Sequence, residues 1–223
     1  ELGVTSKHSL EKTAAENADC FTTVSELTKN ECSHLLGKTP DVITPNGFDD
    51  SFVPDEETFI AKRQKARKTL LNVAKGLLNQ DLPDDTLLVA NSGRYEFKNK
   101  GIDLYIDALG ALNKQNPDRN LVAFILVPAN QAGIRNEVAK RIQKPDFSKP
   151  LTGEYLTHIL VDDIYDPSLK RIRENNLNNS KNDKVKIIFI PAYLNGSDGA
   201  INLNYYDTLI GFDLTVFPSY YEP

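Results

Sequence analysis

Short apolar runs rich in β-branched residues alternate along the chain with longer segments in which apolar residues recur every three or four positions. The runs predict strands and the periodic segments predict amphipathic helices. The predicted strands are residues 20–24, 41–44, 86–90, 121–127, 185–190 and 214–217. The predicted helices are residues 25–36, 57–79, 102–113, 132–142, 167–176 and 204–211. This alternation is typical of an α/β protein with βαβ units and a doubly wound parallel sheet.

A polar break divides the pattern into two parts. Residues 45–47, Pro-Asn-Gly, are a turn signal, and the acidic, irregular residues that follow them indicate a linker. The part before the break predicts the end of one α/β unit, and the part after it predicts a second unit with at least four parallel strands. Within the second unit, residues 144–165 show no clear period and predict an irregular excursion, and residues 175–183 predict an exposed loop.

The loop after the predicted strand 86–90 is the first candidate for chemistry, because ligands of doubly wound sheets bind beyond the carboxyl ends of the strands. It runs from Asn91 to Gly101 and holds two glycines and several cations in front of a predicted helix. A helix N-terminus with Arg and Lys nearby can hold a pyrophosphate. The loop matches neither the dinucleotide-binding nor the P-loop motif, and a solvated loop is the alternative interpretation.

Three weaker candidates have a purely structural interpretation as well as a functional one. Glu222, at the end of the last predicted strand, could bind sugar hydroxyls or assist a reaction at an anomeric carbon, or simply be a helix N-terminal acid. Tyr205 and Tyr206 could stack on a base, or pack partly buried as helical tyrosines usually do. The adjacent Asp162 and Asp163 could bind a metal, although such a pair in a loop is usually solvated.

Composition narrows the classes of function. The 223 residues are 40% hydrophobic and 26% charged with a formal net charge of −5, which describes a globular domain and argues against a nucleic-acid or anionic-membrane partner. Two cysteines without CxxC spacing predict reduced thiols in a cytoplasmic protein, and three scattered histidines suggest no metal site. No signal peptide or membrane-spanning run is evident, and the chain reads as an internal piece of a longer protein.

Four motifs together carry a family resemblance. They are FTTVS at residues 21–25, PNG at 45–47, GRYE with KNKG at 93–101, and FPSYYEP at 217–223. In this order they resemble the glycogen synthases of the animal and fungal type, over essentially the whole chain.

The resemblance implies the GT-B fold, in which two Rossmann-like domains face each other across a cleft. Residues 1–47 would end the N-terminal domain, 48–57 would be the crossover, and 58–223 would be a truncated C-terminal nucleotide-sugar domain. The implied activity is transfer of glucose from UDP-glucose to the non-reducing end of an α-1,4-glucan with retention, without a metal or other cofactor. The nucleotide sugar and the glucan would be the partners, and a homo-oligomeric full-length protein is compatible with the resemblance.

The resemblance also assigns residues. Arg94 and Lys100 match the family's phosphate-binding pair, which would stabilise the departing UDP in place of a metal ion. Glu222 matches the first Glu of a paired-glutamate motif, and Tyr205 aligns with an aromatic that stacks on uracil. The predicted catalytic residues are therefore Arg94, Lys100 and Glu222, and the predicted binding residues are Gly93, Tyr205 and Asn46.

The chain also departs from the family's pattern. The N-terminal glycine-rich loop and the catalytic histidine are not in this sequence, so the piece by itself is expected to be inactive. Eukaryotic relatives that respond to glucose 6-phosphate have a histidine where this chain has Asp213, and an acid there would repel a phosphate. We therefore predict that this regulation is absent or altered.

Two other functions stay open from the sequence alone. One is another retaining GT-B glucosyltransferase, such as an ADP-glucose-dependent starch-type synthase. The other is a non-catalytic nucleotide-sugar-binding module.

Overall fold

The computed structural model describes residues 3–221, which form two compact units, residues 3–53 and Pro54–Tyr221. The first unit contains the helices α1 (Thr5–Asn17) and α2 (Glu26–Leu35). Its strands β1 (Thr22–Thr23) and β2 (Val42–Ile43) pair in parallel. The helix α1 was not predicted. Of its thirteen residues only Ala15 is buried, so no apolar stripe marks it in the sequence.

The start of α2 is fixed by a capping box. The hydroxyl of Ser25 accepts a hydrogen bond from the backbone N–H of Thr28 at 3.1 Å, and the Thr28 hydroxyl accepts one from the Ser25 N–H at 3.1 Å. The helix ends at Leu35, and Gly37 follows with φ of 75°, a left-handed conformation that glycine adopts without strain. The predicted helix 25–36 is therefore confirmed.

The prediction of a turn at residues 45–47 is wrong. The chain runs through these residues without a turn and turns instead at residues 51–52, where the Val53 N–H donates to the Asp50 carbonyl at 2.9 Å. The Asp49 carboxylate accepts from the Ser51 N–H at 2.9 Å and stabilises this later turn. A local side-chain hydrogen bond thus decides the position of the turn.

The second unit is built on a four-stranded parallel sheet. Its strands are β3 (Leu87–Ser92), β4 (Leu121–Leu126), β7 (Val185–Ile190) and β8 (Leu214–Thr215), in the order β7-β4-β3-β8. Every residue of β4 and β7 is buried, as expected for strands covered on both faces. The predicted sheet of at least four parallel strands is confirmed.

Helices cover both faces of this sheet. The helices α3 (Glu56–Leu78) and α5 (Asn136–Gln143) pack in one apolar layer, together with Leu209 of α7 (Tyr205–Leu209). The helices α4 (Ile102–Lys114) and α6 (Pro167–Glu174) pack in the other layer. The sheet is therefore doubly wound, as the alternating pattern predicts. None of the helices described between residues 3 and 221 has the length and apolar character needed to cross a membrane.

The segment from 131 to 165 differs from the prediction. The expected helix 132–142 begins only at Asn136, and residues before it form β5 (Gln131–Ile134), which pairs antiparallel with β6 (His158–Leu160). Just before β6, the Phe189 N–H donates to the Tyr155 carbonyl at 2.7 Å, so this segment extends the main sheet beside β7. The prolines and the glycine near residue 150 obscure the strand pattern in the sequence, so this edge of the sheet was not predicted.

The segment 175–183, predicted as an exposed loop, is exposed only in part, at residues 176, 178 and 181–182. Asn179 is fully buried, and its side-chain amide donates to the carbonyls of Glu154 at 2.6 Å and Ile187 at 2.7 Å. Its carbonyl oxygen accepts from the Ile187 N–H at 2.8 Å. Backbone groups thus satisfy the hydrogen bonds that the side chain of Asn179 would otherwise form with water. Leu177, in the same segment, is also buried.

Candidate functional site

A cavity of about 490 Å³ opens at the carboxyl ends of β3, β4 and β7. Its position is the one that the strand-end rule for doubly wound sheets requires. The residues that line it end or follow these three strands or begin α7, and they are Gly93, Arg94, Tyr95, Leu126, Pro128, Ala192, Tyr193, Leu194, Asn195 and Tyr205. Three residues predicted from the sequence, Gly93, Arg94 and Tyr205, are therefore brought together around one cavity.

The loop after β3 presents Arg94 to solvent. The strand extends two residues further than predicted, to Ser92, and Gly93 then adopts φ of 146°, which favours glycine. The Arg94 side chain is 76% exposed, and its Nε lies 3.2 Å from a carboxylate oxygen of Glu96. This partner is on the surface, so it holds the guanidinium only weakly and leaves it available to an anion.

The same loop is closed against the segment that follows β8. Gly101, the N-cap of α4, has φ of 63°, and a Cβ at this position would lie 1.9 Å from the Pro218 carbonyl oxygen. The Tyr220 N–H donates to the Asn99 carbonyl at 3.0 Å. The KNKG and FPSYYEP motifs therefore contact each other, which their separation in the sequence does not reveal.

The remaining predicted site residues are placed as follows. Lys100 is half-buried within the same loop, and its N–H donates to the Glu96 carbonyl at 2.8 Å. Asn46 is exposed and belongs to the first unit. Glu222 lies outside the described residues. The cavity therefore brings together the cation and the aromatic of the predicted set, while the assignments of the others stay predictions.

Tyr95 anchors the loop to α6, a role that sequence reasoning missed. Its hydroxyl donates to Asp166 at 2.5 Å and lies 2.8 Å from the Ser168 hydroxyl. Asp166 is the N-cap of α6 and also accepts from the Leu169 N–H at 2.8 Å. Burial, and then the hydrogen bond to Asp166, raise the pKa of Tyr95, so the hydroxyl stays protonated. The Asp-Pro pair at the start of α6 was the sequence signal for this cap.

Tyr205 forms a second wall of the cavity. Its hydroxyl lies 2.8 Å from that of Ser92, the last residue of β3. The Tyr205 ring meets the Tyr206 ring edge to face, with 5.2 Å between the centroids. Tyr193, which is 76% exposed, lines the cavity as well. Two tyrosine rings are thus placed where a planar ligand could stack, one of which the sequence did not single out.

A histidine stabilises the segment between β7 and α7. His158 is buried, and its Nε2 lies 2.8 Å from the Asp198 carbonyl, which can only accept, so Nε2 carries the proton. The Asp198 carboxylate accepts from the N–H groups of Ala200, Ile201 and Asn202 at 2.7–2.9 Å. This network fixes the chain that carries Tyr193 and Tyr205 to the cavity.

A metal site is not found among residues 3–221, where no group of three or more potential ligands is suitably placed. Asp162 and Asp163 are exposed, in agreement with the solvated interpretation.

In the loop from Gly93 to Gly101, Lys98 lies 2.6 Å from the buried Asp103, and this contact raises the pKa of Lys98. The other oxygen of Asp103 is buried without a partner in the described part of the chain.

Asp213 is not the free acid that the sequence suggested. Arg63 and Arg67 of α3 each place a guanidinium nitrogen 2.8 Å from one of its carboxylate oxygens. The Leu88 N–H also donates to the carboxylate, at 2.9 Å. The predicted repulsion between a phosphate and a free acid at this position is therefore wrong, because the two arginines neutralise the charge of the Asp213 carboxylate.

Fold and site together define the class. A doubly wound parallel sheet with a cavity at the carboxyl ends of its strands, and with a cation-bearing loop in front of a helix, is a Rossmann-like α/β unit. The glycogen synthase family model matches residues 1–145 and 147–223. The chain belongs to the glycogen synthase family, as the four motifs predict.

Individual relatives agree with this assignment. Glycogen [starch] synthase isoform 2 of Saccharomyces cerevisiae is 33% identical over 287 residues, covering 100% of this chain and 41% of the yeast protein. The Neurospora crassa glycogen [starch] synthase is 29% identical, covering 99% of the chain and 40% of the fungal protein. The Homo sapiens liver glycogen [starch] synthase is 28% identical, covering 97% and 38%. The chain thus spans about two fifths of the length of these relatives.

Proposed function

We propose that the protein to which this chain belongs transfers glucose from UDP-glucose to the non-reducing end of an α-1,4-glucan, with retention of configuration. The observation that carries the proposal is the cavity at the carboxyl ends of the strands, which Arg94 and Tyr205 line in a chain of the glycogen synthase family. The cation suits the diphosphate of a nucleotide sugar and the aromatic suits its base.

The proposed chemistry of Arg94 follows from the leaving group. Departure of UDP places negative charge on the diphosphate, and a guanidinium fork can hold two phosphate oxygens at once. Arg94 is exposed at the cavity, and α4 begins at the end of the same loop. Lys100 would act from this loop as a second, point-like charge. Loss of one such contact would cost roughly 2–4 kcal/mol of transition-state stabilisation.

Tyr205 is proposed to stack on uracil, held in place by its hydrogen bond to Ser92. Gly93 lets the backbone approach the ligand closely, since it carries no side chain. Asn46 and Glu222 enter this proposal through the family resemblance. Glu222 would act near the donor glucose.

Three further statements belong to the same proposal. The two units would be parts of the two domains of a GT-B fold, reactions would proceed without a metal ion, and the protein would act in the cytoplasm. Cys20 and Cys32 are free thiols, which suits a reducing compartment. The cation that lines the cavity, Arg94, suits a leaving group that departs without a divalent ion.

The test is glucosyl transfer by the natural full-length protein on a glycogen primer, with UDP-glucose and ADP-glucose compared at equal concentrations. Arg94→Ala is expected to reduce kcat/KM with UDP-glucose by about 10²–10³. Arg173→Ala, which removes an exposed arginine of α6, is the matched control and should stay within about twofold.

Each other result has a defined meaning. A preference for ADP-glucose would keep the reaction and replace the donor by that of a starch-type synthase. Absence of transfer from either donor, by a protein shown to be folded, would contradict the proposal and favour a non-catalytic binding module. Equal activity of wild type and Arg94→Ala would contradict the role of the loop.

A further inference from the structure

A buried lysine lies at the amino end of β7, at the edge of the sheet opposite to the cavity described above. Lys186 is 3% exposed, and its ammonium donates to the carbonyl oxygens of Ser180 at 2.6 Å and Asp183 at 3.0 Å. Both acceptors are uncharged, and an ammonium group has three donors. No carboxylate of the described residues 3–221 forms an ion pair with it.

A buried ammonium group with no carboxylate within ion-pair distance is costly, which makes this arrangement unusual. Burial lowers the pKa of Lys186, and the nearby Asp183 opposes this only in part. The two carbonyl contacts by themselves would suit a neutral amide equally well. A lysine at this position is therefore explained better if an anion completes its surroundings.

Lys186 lines a second cavity, of about 360 Å³. The residues around it come from the segment after α3, the position before β4, the start of β7 and two loops, and they are Gln80, Asp81, Leu82, Pro83, Asn120, Phe147, Pro150, Lys181 and Lys186. A volume of this size admits a small organic ligand.

The charges around the second cavity favour an anion. Lys181 is exposed on its rim and adds a second ammonium group. The one carboxylate among the lining residues, Asp81, is already paired, with its oxygen 3.0 Å from Lys75. Gln80 uses its amide nitrogen to donate to the carbonyls of Leu151 and Asn179, which leaves its oxygen as an acceptor for a hydroxyl.

We propose that this second cavity is a binding site for a small phosphate-bearing molecule, whose oxyanion is held by Lys186 from inside the cavity and by Lys181 at its rim. The apolar groups of Phe147, Pro83 and Pro150 would contact the remainder of the ligand. The site is separate from the cavity at the carboxyl ends of the strands and is independent of the reaction proposed for that cavity.

The test measures the thermal unfolding midpoint of the protein during titration with inorganic phosphate, with chloride adjusted to constant ionic strength. Because phosphate could also bind beside Arg94, all titrations use the Arg94→Ala background. A ligand that binds the folded state raises the midpoint in a saturable way. The background protein is expected to show such a rise, and adding Lys181→Ala is expected to weaken the apparent phosphate affinity about tenfold.

A structural role for Lys186 alone, holding the loop of residues 180–183, predicts a different result. Lys186→Gln keeps a hydrogen-bond donor but removes the charge, so loss of phosphate stabilisation in a folded variant supports the site. If Lys186→Gln does not fold, the exposed Lys181→Ala decides. A midpoint that responds to phosphate no more than to chloride, or an affinity unchanged by Lys181→Ala, overturns the proposal.

Discussion

The hydroxyl groups of Ser92 and Tyr205 lie 2.8 Å apart and join the end of β3 to the start of α7 across 113 residues of sequence. One hydrogen bond thereby connects two walls of the cavity. Because the hydroxyl fixes the ring from one end, the contributions of the ring and of the hydroxyl to ligand binding can be separated by substitution.

Tyr205→Ala is expected to weaken UDP binding by about 1–3 kcal/mol, the value of one base-aromatic stacking contact. Tyr205→Phe keeps the ring and should lose much less, since only the bond to Ser92 disappears. Isothermal titration calorimetry with UDP measures both. Tyr165→Ala is the control, because Tyr165 is 81% exposed and does not line the cavity. Equal affinity of Tyr205→Ala and wild type would show that the ring does not stack on the base.

Tyr95→Phe should lower the free energy of unfolding by about 1 kcal/mol, because it removes the hydrogen bond to Asp166. Asp166→Ala should lower it by about 2 kcal/mol, because the N-cap of α6 is lost as well. Urea denaturation provides the comparison. Tyr155→Phe is the matched control, since Tyr155 is buried and its hydroxyl forms no hydrogen bond with the described residues 3–221. A control as destabilised as Tyr95→Phe would rule out the anchoring role.

Asp213→Asn should destabilise the fold by about 1–3 kcal/mol at pH 7. The substitution weakens contacts with Arg63 and Arg67 and replaces an acceptor of the Leu88 N–H. Denaturation in guanidinium chloride would mask ion pairs, so urea is the suitable denaturant. Asp118→Asn, an exposed aspartate after α4, should change stability by less than about 0.5 kcal/mol. Similar losses in both variants would contradict the importance of the ion pairs.

The same carboxylate gives a pH dependence of known sign. Burial would raise the pKa of Asp213, but the Leu88 N–H and then Arg67 and Arg63 outweigh it and hold the pKa below its ordinary value. Its stabilising contribution is therefore complete above the unfolded-state value of about 3.9 and is lost as the pH falls through the lower folded-state value. The difference between wild type and Asp213→Asn should be constant from pH 7 to 5 and shrink below about pH 4. A difference that persists unchanged at pH 3 would contradict this assignment.

Glucose 6-phosphate is predicted not to accelerate glucosyl transfer by the full-length protein in the manner of the eukaryotic relatives. A phosphate arriving beside Asp213 would compete with the carboxylate for Arg63 and Arg67, both of which are already paired. Initial rates with and without glucose 6-phosphate, at subsaturating UDP-glucose, provide the measurement. An increase in rate comparable to that of a eukaryotic enzyme assayed in parallel would refute the prediction.

The sequence predicted the elements with a strong apolar pattern and missed those held by long-range contacts. The strand β7 was predicted with its observed bounds, because five of its six residues are apolar and four of them are β-branched. Three of the four residues of β5 were predicted as the start of the helix 132–142, because a strand this short shows no clear alternation of apolar and polar positions. Asn179 was expected in solvent, since nothing local reveals that three backbone groups supply its hydrogen bonds.

The candidate site divides in the same way. The loop with Arg94 and the aromatic Tyr205 were found from motifs, and the structure brings both to one cavity. The contact of Tyr95 with Asp166 joins residues 71 positions apart, and no spacing rule indicates such a pair. The pairing of Asp213 with α3 was missed for the same reason, across about 150 residues.

The strand order β7-β4-β3-β8 also determines the order in which the sheet can be completed during synthesis. The strand β4 follows β3 closely along the chain. Asp213, whose carboxylate accepts the hydrogen bond from the Leu88 N–H, is synthesised 125 residues later. Until then, one edge of β3 is open on the nascent chain, and open strand edges invite pairing with other molecules. Arrival of β8 closes that edge and brings Asp213 to the arginines of α3 in the same step. Nascent chains that stall before residue 213 should therefore depend most on chaperones.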